Sequence, residues 1–175
     1  MNLVAKPINN NHQDYEKLRK WRDNYIGFNP ANEANFRYWE LIRDEFSYSF
    51  AFHYQGQLVG SVRFTPLGHG ITMGERQLDI MRFVSSPLKT LEVNRLVIDK
   101  KARGKGIMHE SLSHCFNWIF SNTTHQNLIA LCSPRMVPLY HTIGAKTIGY
   151  NIGHETNKTY SLINIKLKDL NNVRF

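Results

Sequence analysis

The sequence has few cysteines, no long apolar run and no apolar leader at its N-terminus. Cys115 and Cys132 are its two cysteines, which excludes a disulfide framework and favours reduced thiols. No apolar segment approaches the length of about 20 residues that a membrane-spanning helix needs, so we expect no membrane span. Residues 1–11 lack the apolar core of a secretory signal. We therefore expect a cytoplasmic protein.

The composition is that of a globular protein with an excess of positive charge. The 175 residues are 42% hydrophobic and 21% charged, and this length predicts one domain that covers residues 1–175. Lys and Arg number 22 against 14 Asp and Glu, for a net charge of +8. A field of this sign attracts nucleic acid, phosphorylated cofactors or acidic proteins. The basic residues are scattered rather than gathered in a run, which makes a dedicated nucleic-acid partner the less favoured of these.

The order of predicted elements is that of a mixed α/β protein. Gln55-Gly56 predicts a hairpin turn, and the weakly patterned residues 68–89 predict an irregular or mobile connection near a site. Period-two patterns predict strands over residues 3–6, 48–54, 58–64, 91–98, 127–131, 145–150 and 159–167. Helical spacing predicts helices over residues 15–26, 32–44 and 107–120 and a short helix from Pro134, with Asp14 and Ser133 as N-caps.

Residues 91–108 combine a strand, a basic glycine loop and a helix. The first N–H groups of a helix have no partner within the helix and carry partial positive charge, so they bind phosphate well. Gly104 and Gly106 lack the Cβ atoms that would keep an anion away from the backbone. Arg103 and Lys105 add positive charge at the same place. The unit predicts a site for a phosphate-bearing carrier, and the alternative is a structural turn with solvated charges.

The glycine loop lacks the spacing of a P-loop and the three glycines of a dinucleotide fingerprint. Residues 103–108, Arg-Gly-Lys-Gly-Ile-Met, instead resemble the acyl-carrier signature of the GNAT superfamily of N-acyltransferases, with Met108 where a small residue is usual. The resemblance implies a single-domain GNAT fold, whose central twisted mixed sheet splays open at the acyl-donor site and is flanked by helices. It also implies that the donor contacts Leu96, Val97, Ile98, Arg103, Gly104, Lys105, Gly106, Ile107 and Met108.

Acyl transfer from a thioester to an amine has three chemical requirements. The amine must lose a proton, the oxyanion must be stabilised by N–H groups such as those of an interrupted strand, and the departing thiolate gains from a proton. Residues 138–145 resemble the superfamily's Leu-Tyr-x-x-x-Gly-Phe pattern, with Ala145 where Phe is usual. The resemblance implies that Tyr140 protonates the thiolate, and the alternative is a packing role for this tyrosine.

Two segments resemble the branch of acyl-homoserine-lactone synthases and long-chain N-acyl amino acid synthases. Residues 92–95, Glu-Val-Asn-Arg, resemble their Glu-x-Ser-Arg motif, and residues 59–66 resemble their Val-Gly-x-x-Arg-Leu-x-Pro stretch. The resemblance implies that Glu92 assists deprotonation of the amine and that Arg63 and Arg95 belong to a charged substrate site. The alternative is an ion-pair network of these three residues that only orders the strands.

The N-terminal motif of the lactone synthases has only loose counterparts in this chain. That motif carries an arginine, aromatic residues and two acidic residues. The counterparts here are Arg19, Arg22, Tyr25, Phe28, Glu40 and Asp44. From this comparison we expect Tyr25 and Phe28 to contact the substrate.

Histidines and cysteines predict no metal site and no thiol nucleophile. His109 and His114 are five positions apart, so they do not share a helical face as His-x-x-x-His would, and no carboxylate pair completes a set. Cys132 has no supporting motif for a Cys–His pair and is expected to be a small buried thiol. We therefore expect no metal cofactor.

Three functions remain open from the sequence. The favoured one is an N-acyltransferase that moves an acyl group from acyl-CoA or acyl carrier protein, both phosphopantetheine thioesters, to the amine of a small amino-acid-like acceptor. Carrier protein is acidic, so the basic chain suits it as a partner. The second is an acetyl-CoA-dependent N-acetyltransferase that acts on a protein or RNA-linked amine. The third is a non-catalytic module that binds thioesters.

Overall fold

The computed structural model describes residues 2–25, 35–152 and 159–172, which form a mixed α/β structure as the sequence predicts. The strands are β1 (Leu3–Ile8), β2 (Tyr48–Tyr54), β3 (Gln57–Pro66), β4 (Thr90–Ile98), β5 (Asn127–Cys132), β6 (Lys146–Ile152) and β7 (Tyr160–Lys166). The α-helices are α1 (Tyr15–Tyr25), α2 (Phe36–Glu45), α3 (Met73–Gln77), α4 (Ile107–Asn122) and α5 (Val137–His141). Turns of 3-10 helix cover Ile80–Phe83, Pro87–Lys89, Lys100–Ala102, Pro134–Met136 and Leu167–Asn172.

The described strands form one mixed sheet in the order β1-β2-β3-β4-β5-β7-β6. Strands β1, β2 and β3 are antiparallel neighbours, and so are β5, β7 and β6. Strand β4 runs parallel to β5, and their register starts with Thr90 opposite Asn127 and ends with Glu92 opposite Ile129. The parallel pairing therefore covers only the beginning of β4.

Internal packing divides the chain into two compact units. The first unit comprises residues 1–65 and 94–115, and the second comprises residues 66–93 and 116–175. The expectation of a single domain over residues 1–175 stays a prediction.

In the first unit, the β2–β3 hairpin carries an apolar face and a polar face. Gln55 and Gly56 have φ of 51° and 77°, which confirms the predicted hairpin turn. Side chains alternate between the two faces of a strand, so the register places the phenylalanines and valine of one face apart from the polar residues of the other. The apolar face comprises Phe50, Phe52, Val62 and Phe64, whereas the opposite, also buried face carries Ser49, Ser61 and Arg63.

In the second unit, residues 67–89 are more regular than the sequence predicts. Thr72 caps α3 in a reciprocal capping box with Glu75, whose Oε1 also accepts a hydrogen bond from Gly68 N at 2.6 Å. The same segment supplies Leu67 and Ile80 to a hydrophobic core that also contains Ile129, Ile152 and Leu162. The apolar residues of this segment pack against distant strands rather than repeat along one element, which is why no periodicity reveals them.

The starts of two predicted helices can be compared with the structure. Ser133 stands at the predicted N-cap position, with Pro134 first in the 3-10 turn, but its side chain makes no capping hydrogen bond. Helix α2 begins at Phe36, its N-cap Asn35 has a φ of 59°, and the predicted start at residue 32 lies outside the described residues. Across the described residues, none of the helices has both the length and the hydropathy needed to cross a membrane.

Candidate active site

The glycine loop lies exposed at the start of α4. Gly104 and Gly106 have φ of 76° and 73°, in the left-handed region that favours glycine. A Cβ added to either residue would meet no atom of the described chain within 4 Å. Arg103 and Lys105 are exposed as well. The backbone conformation therefore requires these glycines, and the loop leaves room for a bulky anion.

Neighbouring hydrogen bonds fix the path of the chain into this loop. Asp99 Oδ1 accepts a hydrogen bond from Lys101 N at 2.9 Å, and Arg103 Nε donates to Ile98 O at 3.1 Å. Residue Ile107 is buried and anchors the first turn of α4 in the core. Among the other predicted donor-binding residues, Val97 is buried and the half-buried ones are Leu96, Ile98 and Met108.

Arg95 interrupts β4. Its φ of 53° is rare for a residue with a side chain and costs on the order of 1–3 kcal/mol. Arg95 Nε donates to Glu40 Oε2 at 2.8 Å, and the guanidinium lies 5.4 Å from the centre of the Phe36 ring. These contacts hold the arginine in place despite its backbone conformation. An interrupted strand is a source of the N–H donors that an oxyanion needs.

Arg63 is the centre of a charged cluster, which consists of Arg22, Glu40, Arg43, Asp44, Arg63 and Arg95. It is only 1% exposed. Its Nη1 donates to Asp44 Oδ1 at 2.8 Å, its Nη2 to Glu40 Oε1 at 3.0 Å, and its Nε to Asn94 Oδ1 at 2.7 Å. Asn94 stands where the related motif has Ser, and its Nδ2 donates to Thr65 Oγ1 at 3.0 Å. Asn94 thus links the buried guanidinium to Thr65.

Helix α1 contributes Arg22 and Tyr15 to the same place. Arg22 Nη1 donates to Asp44 Oδ1 at 2.8 Å, and the Tyr15 hydroxyl donates to Asp44 Oδ2 at 2.7 Å. Arg19, the other arginine suggested by the N-terminal motif, is exposed and pairs with Glu16. Arg22, and not Arg19, is therefore the arginine of this helix that belongs to the charged cluster.

Opposite charges keep Glu40 and Arg63 ionised despite their burial. Burial opposes ionisation of Glu40, but the charges of Arg63 and Arg95 outweigh it and hold the pKa of this carboxyl well below its usual range. Burial likewise opposes the charge of Arg63, but Glu40 and Asp44 raise the pKa of its guanidinium. Burial and the hydrogen bond to Asp44 raise the pKa of Tyr15, which stays a neutral donor.

Glu92 lies in the second unit and is 4% exposed. Its Oε2 accepts a hydrogen bond from Gly74 N, in the first turn of α3, at 3.1 Å. A Cβ on Gly74 would lie 2.7 Å from this oxygen and 2.4 Å from Ile80 Cδ1. A side chain at position 74 would therefore force Ile80 and Glu92 to shift, and glycine lets α3 approach the carboxylate this closely.

Tyr140 is a half-buried residue of α5 close to Cys132. Burial raises the pKa of the Tyr140 phenol to about 12, and the Cys132 side chain adds to the rise. Burial also raises the pKa of the Cys132 thiol to about 11. Both groups keep their protons at neutral pH, so Tyr140 is able to donate one, whereas Cys132 remains a poor nucleophile.

The structure gives side-chain positions for only some of the predicted substrate-binding residues. It brings Arg63 and Arg95 together through Glu40, but Tyr25 is described only in its backbone and Phe28 lies outside the described residues. The roles of all these residues stay predictions. Sequence reasoning missed Gly74 and Tyr15, noted Asn94 only as a replacement for Ser, and named Glu40 and Asp44 only as loose counterparts of a family motif. The signal for Glu40 and Asp44 was their spacing of four positions, which places them on one face of α2.

The described residues hold no cluster with the make-up of a metal site. Within residues 2–25, 35–152 and 159–172, no group of three or more His, Cys, Asp or Glu side chains could hold a metal ion. His12 and His53 both lie near Asp14, at 3.5 Å and 2.9 Å, but they form an ordinary part-buried pairing rather than a ligand set.

Comparison with known families identifies one matching model. The model described as "N-acyl amino acid synthase FeeM" matches residues 18–162. No curated protein shows significant sequence similarity to the chain. The matched range includes the charged cluster, the glycine loop and Tyr140.

Solved structures with the same fold are numerous but distant in sequence. FeeM, an N-acyl amino acid synthase from uncultured soil microbes, has a TM-score of 0.68 and 11% identity, over 99% of this chain and 96% of that one. A chimera of the spermidine N-acetyltransferase SpeG from Vibrio cholerae and hSSAT has a TM-score of 0.65 and 14% identity, over 98% and 99%. The acetyltransferase of the GNAT family from Streptococcus pneumoniae has a TM-score of 0.63 and 12% identity, over 94% and 99%. These likenesses confirm the GNAT fold.

Proposed function

Because the chain belongs to the FeeM N-acyl amino acid synthase family and is therefore an acyltransferase, we propose that it transfers an acyl group from a phosphopantetheine thioester to the amine of an amino-acid-like acceptor. The observation that carries this proposal is the family match over residues 18–162, which spans both compact units. The likeness to GNAT acetyltransferases supports N-acyl transfer as the reaction.

The glycine loop is the proposed binding site for the phosphate groups of the donor. Its glycines have open space above them, and Arg103 and Lys105 supply positive charge beside the first turn of a 16-residue helix. Both acyl-CoA and acyl carrier protein carry such phosphates. We favour a long-chain acyl group on carrier protein, because the chain's charge of +8 attracts an acidic protein in the cytoplasm, where we propose the enzyme works.

Two side chains of the second unit are the proposed proton-transfer groups. The Tyr140 phenol, with its raised pKa, would protonate the thiolate that leaves the donor. The Glu92 carboxylate, held by the Gly74 N–H, would accept the proton of the acceptor amine directly or through water. In this mechanism the amine attacks the thioester carbonyl, the oxyanion collapses, and the C–S bond breaks to leave an amide and a free thiol.

Release of free thiol tests the proposal directly. Folded protein is mixed with acyl carrier protein or acyl-CoA of several chain lengths and with L-amino acids, and the thiol and the amide are both measured. We expect amide formation that depends on the amino acid. Amide formed only from acetyl-CoA on a protein or on aminoacyl-RNA would favour the second function. Donor binding without any thiol release would favour a non-catalytic module and would contradict the proposal.

A further inference from the structure

One edge of the Arg22 guanidinium is buried and has no partner. Arg22 is 3% exposed, and its Nη1 is bound to Asp44 Oδ1 at 2.8 Å. Its Nε and Nη2 are also buried, and neither has a hydrogen-bond partner among the described residues. Buried donors are satisfied in the great majority of folded proteins, so two orphaned donors on one buried cation indicate an occupant.

The geometry of the free edge specifies the kind of occupant. Nε–H and one N–H of Nη2 are parallel and lie on the same side of the planar guanidinium. This fork matches the two oxygens of a carboxylate, which accept both hydrogen bonds at once. A single water molecule has one oxygen and fits the fork less well.

The charge of the cluster favours an anion over water. Four guanidinium groups, those of Arg22, Arg43, Arg63 and Arg95, bind two carboxylates, those of Glu40 and Asp44, so four minus two leaves two positive charges among the described residues. Asp44 is shared, because its Oδ1 binds Arg63 as well as Arg22 and its Oδ2 binds the Tyr15 hydroxyl. Burial lowers the pKa of Arg22, and Asp44 only partly offsets this. Water would satisfy the N–H groups but not the charge.

A further buried polar group without a partner among the described residues lies on the face of the β2–β3 hairpin that carries Arg63. Ser49 stands opposite Arg63 in the strand register, so their side chains share one face of the hairpin. The Ser49 hydroxyl is buried and has no partner among the described residues. The first unit thus holds a second buried group that can donate a hydrogen bond.

We propose that the Nε and Nη2 edge of Arg22 binds the α-carboxylate of the acceptor amino acid. This inference rests on the proposed function and deepens it, because it makes Arg22 the residue that selects amino acids over simple amines. The positioning residues are then Asp44, Arg63 and Tyr15. Arg63 and Tyr15 bind the Asp44 carboxylate, which in turn binds Arg22 and fixes the orientation of its free edge.

Paired acceptors that differ only in the carboxylate test this inference. Initial rates are measured with L-phenylalanine against 2-phenylethylamine and with L-leucine against 3-methylbutylamine. The proteins are the wild type, Arg22→Lys and the matched control Arg19→Lys, which changes an exposed arginine of the same helix. We expect the wild type to prefer the amino acids. Arg22→Lys keeps the charge but loses the fork, so it should raise KM for the amino acid by about 10-fold or more. The ratio of the amino-acid rate to the amine rate should therefore fall by about 10-fold or more, whereas Arg19→Lys should keep the wild-type ratio.

Two kinetic results would overturn the inference without harming the proposed function. One is equal acylation of amino acids and amines by the wild type. The other is an equal fall of both rates in Arg22→Lys, which would indicate a structural role for an arginine that binds only water.

If the wild type acylates no acceptor, the proposed function fails and binding still tests the inference. Thermal unfolding is then followed with each amino acid and each amine. A rise of Tm with the amino acids alone, lost in Arg22→Lys but kept in Arg19→Lys, supports the carboxylate site. No rise for the wild type with either amino acid overturns it.

Discussion

The interiors of the two compact units stabilise their buried polar groups by different means. In the first unit, Arg63 and Asp44 are almost fully buried and each binds several oppositely charged groups. In the second unit, the core around Ile80 and Leu162 is apolar, Glu92 accepts a backbone N–H, and Tyr140 and Cys132 remain neutral. The first interior contains buried ion pairs, whereas the second contains buried side chains that keep their protons at neutral pH.

We infer from this difference which property each interior contributes to the proposed acyl transfer. A buried ion-pair network gains little net stability, because desolvation offsets most of the Coulomb attraction, but it fixes side chains in one arrangement. Here it holds Arg95 with its positive φ, and it leaves one edge of Arg22 without a partner in the part of the chain that the structure describes. An apolar surrounding instead raises the pKa of a phenol, so that its proton is kept until a strong base such as a thiolate forms. We infer that the first interior orients charged substrate groups and that the second transfers protons.

The largest expected effect comes from removing the central charge of the first interior. Arg63→Met leaves Glu40 and Asp44 short of a buried partner and should lower the free energy of unfolding by about 3–5 kcal/mol. Denaturation with urea measures the change. The control is Arg82→Met, which removes an arginine from an exposed pair with Asp79 and should leave the midpoint unchanged. Equal effects of the two substitutions would contradict the idea of a charge-dependent interior.

A second substitution probes the packing around the carboxylate of the other unit. Gly74→Ala places a Cβ against Ile80 Cδ1 and Glu92 Oε2, and it should destabilise the protein by about 1–3 kcal/mol. Ile80→Val removes the Cδ1 atom, so the double variant should be no less stable than Gly74→Ala alone, as a double-mutant cycle would show. Simple additivity of the two changes would argue against this contact.

The proton-transfer role of the second interior is tested by Tyr140→Phe. Loss of the phenol proton should lower turnover by about 10-fold or more, as expected for a group that transfers a proton, with little change in Tm. Thiol release at saturating substrate measures the rate. Tyr150→Phe, at a residue that is 70% exposed, is the matched control and should keep full activity. An unchanged rate in Tyr140→Phe would remove this residue from the mechanism.

The smallest expected effect is on stability at alkaline pH. The pKa of Cys132 rises from 9.0 to about 11 on folding and that of Tyr140 from 10.0 to about 12. The unfolded chain therefore loses these protons at a lower pH than the folded protein does. The free energy of unfolding has its full value below about pH 9 and falls as the pH rises toward about 12. Urea midpoints measured across this range should decline, and Cys132→Ala should reduce the decline between about pH 9 and 11. A parallel decline in both proteins would contradict the assignment to Cys132.

Local patterns predicted much of the fold and part of the site. The hairpin at Gln55 and Gly56, the strand before the glycine loop and the helix after it each depend on neighbouring residues, and the structure confirms them. The ordered segment 67–89 escaped prediction, because its apolar residues find their partners in β5 and β7. Its capping box at Thr72 and Glu75 was readable from the spacing but was not recognised.

By itself, the sequence determined the mixed α/β order, the cationic glycine loop and the chemical types that acyl transfer needs. These properties depend on hydrophobic period and on residues a few positions apart, which one-dimensional patterns record directly. Only the tertiary structure decided which charges meet: Arg63 binds an acid 19 positions away, and Glu40 binds Arg95 across 55 positions. It also left one edge of Arg22 without a hydrogen-bond partner among residues 2–25, 35–152 and 159–172. The physical reason is that Coulomb and hydrogen-bond energies depend on distance in space and on burial, and the folded chain sets both.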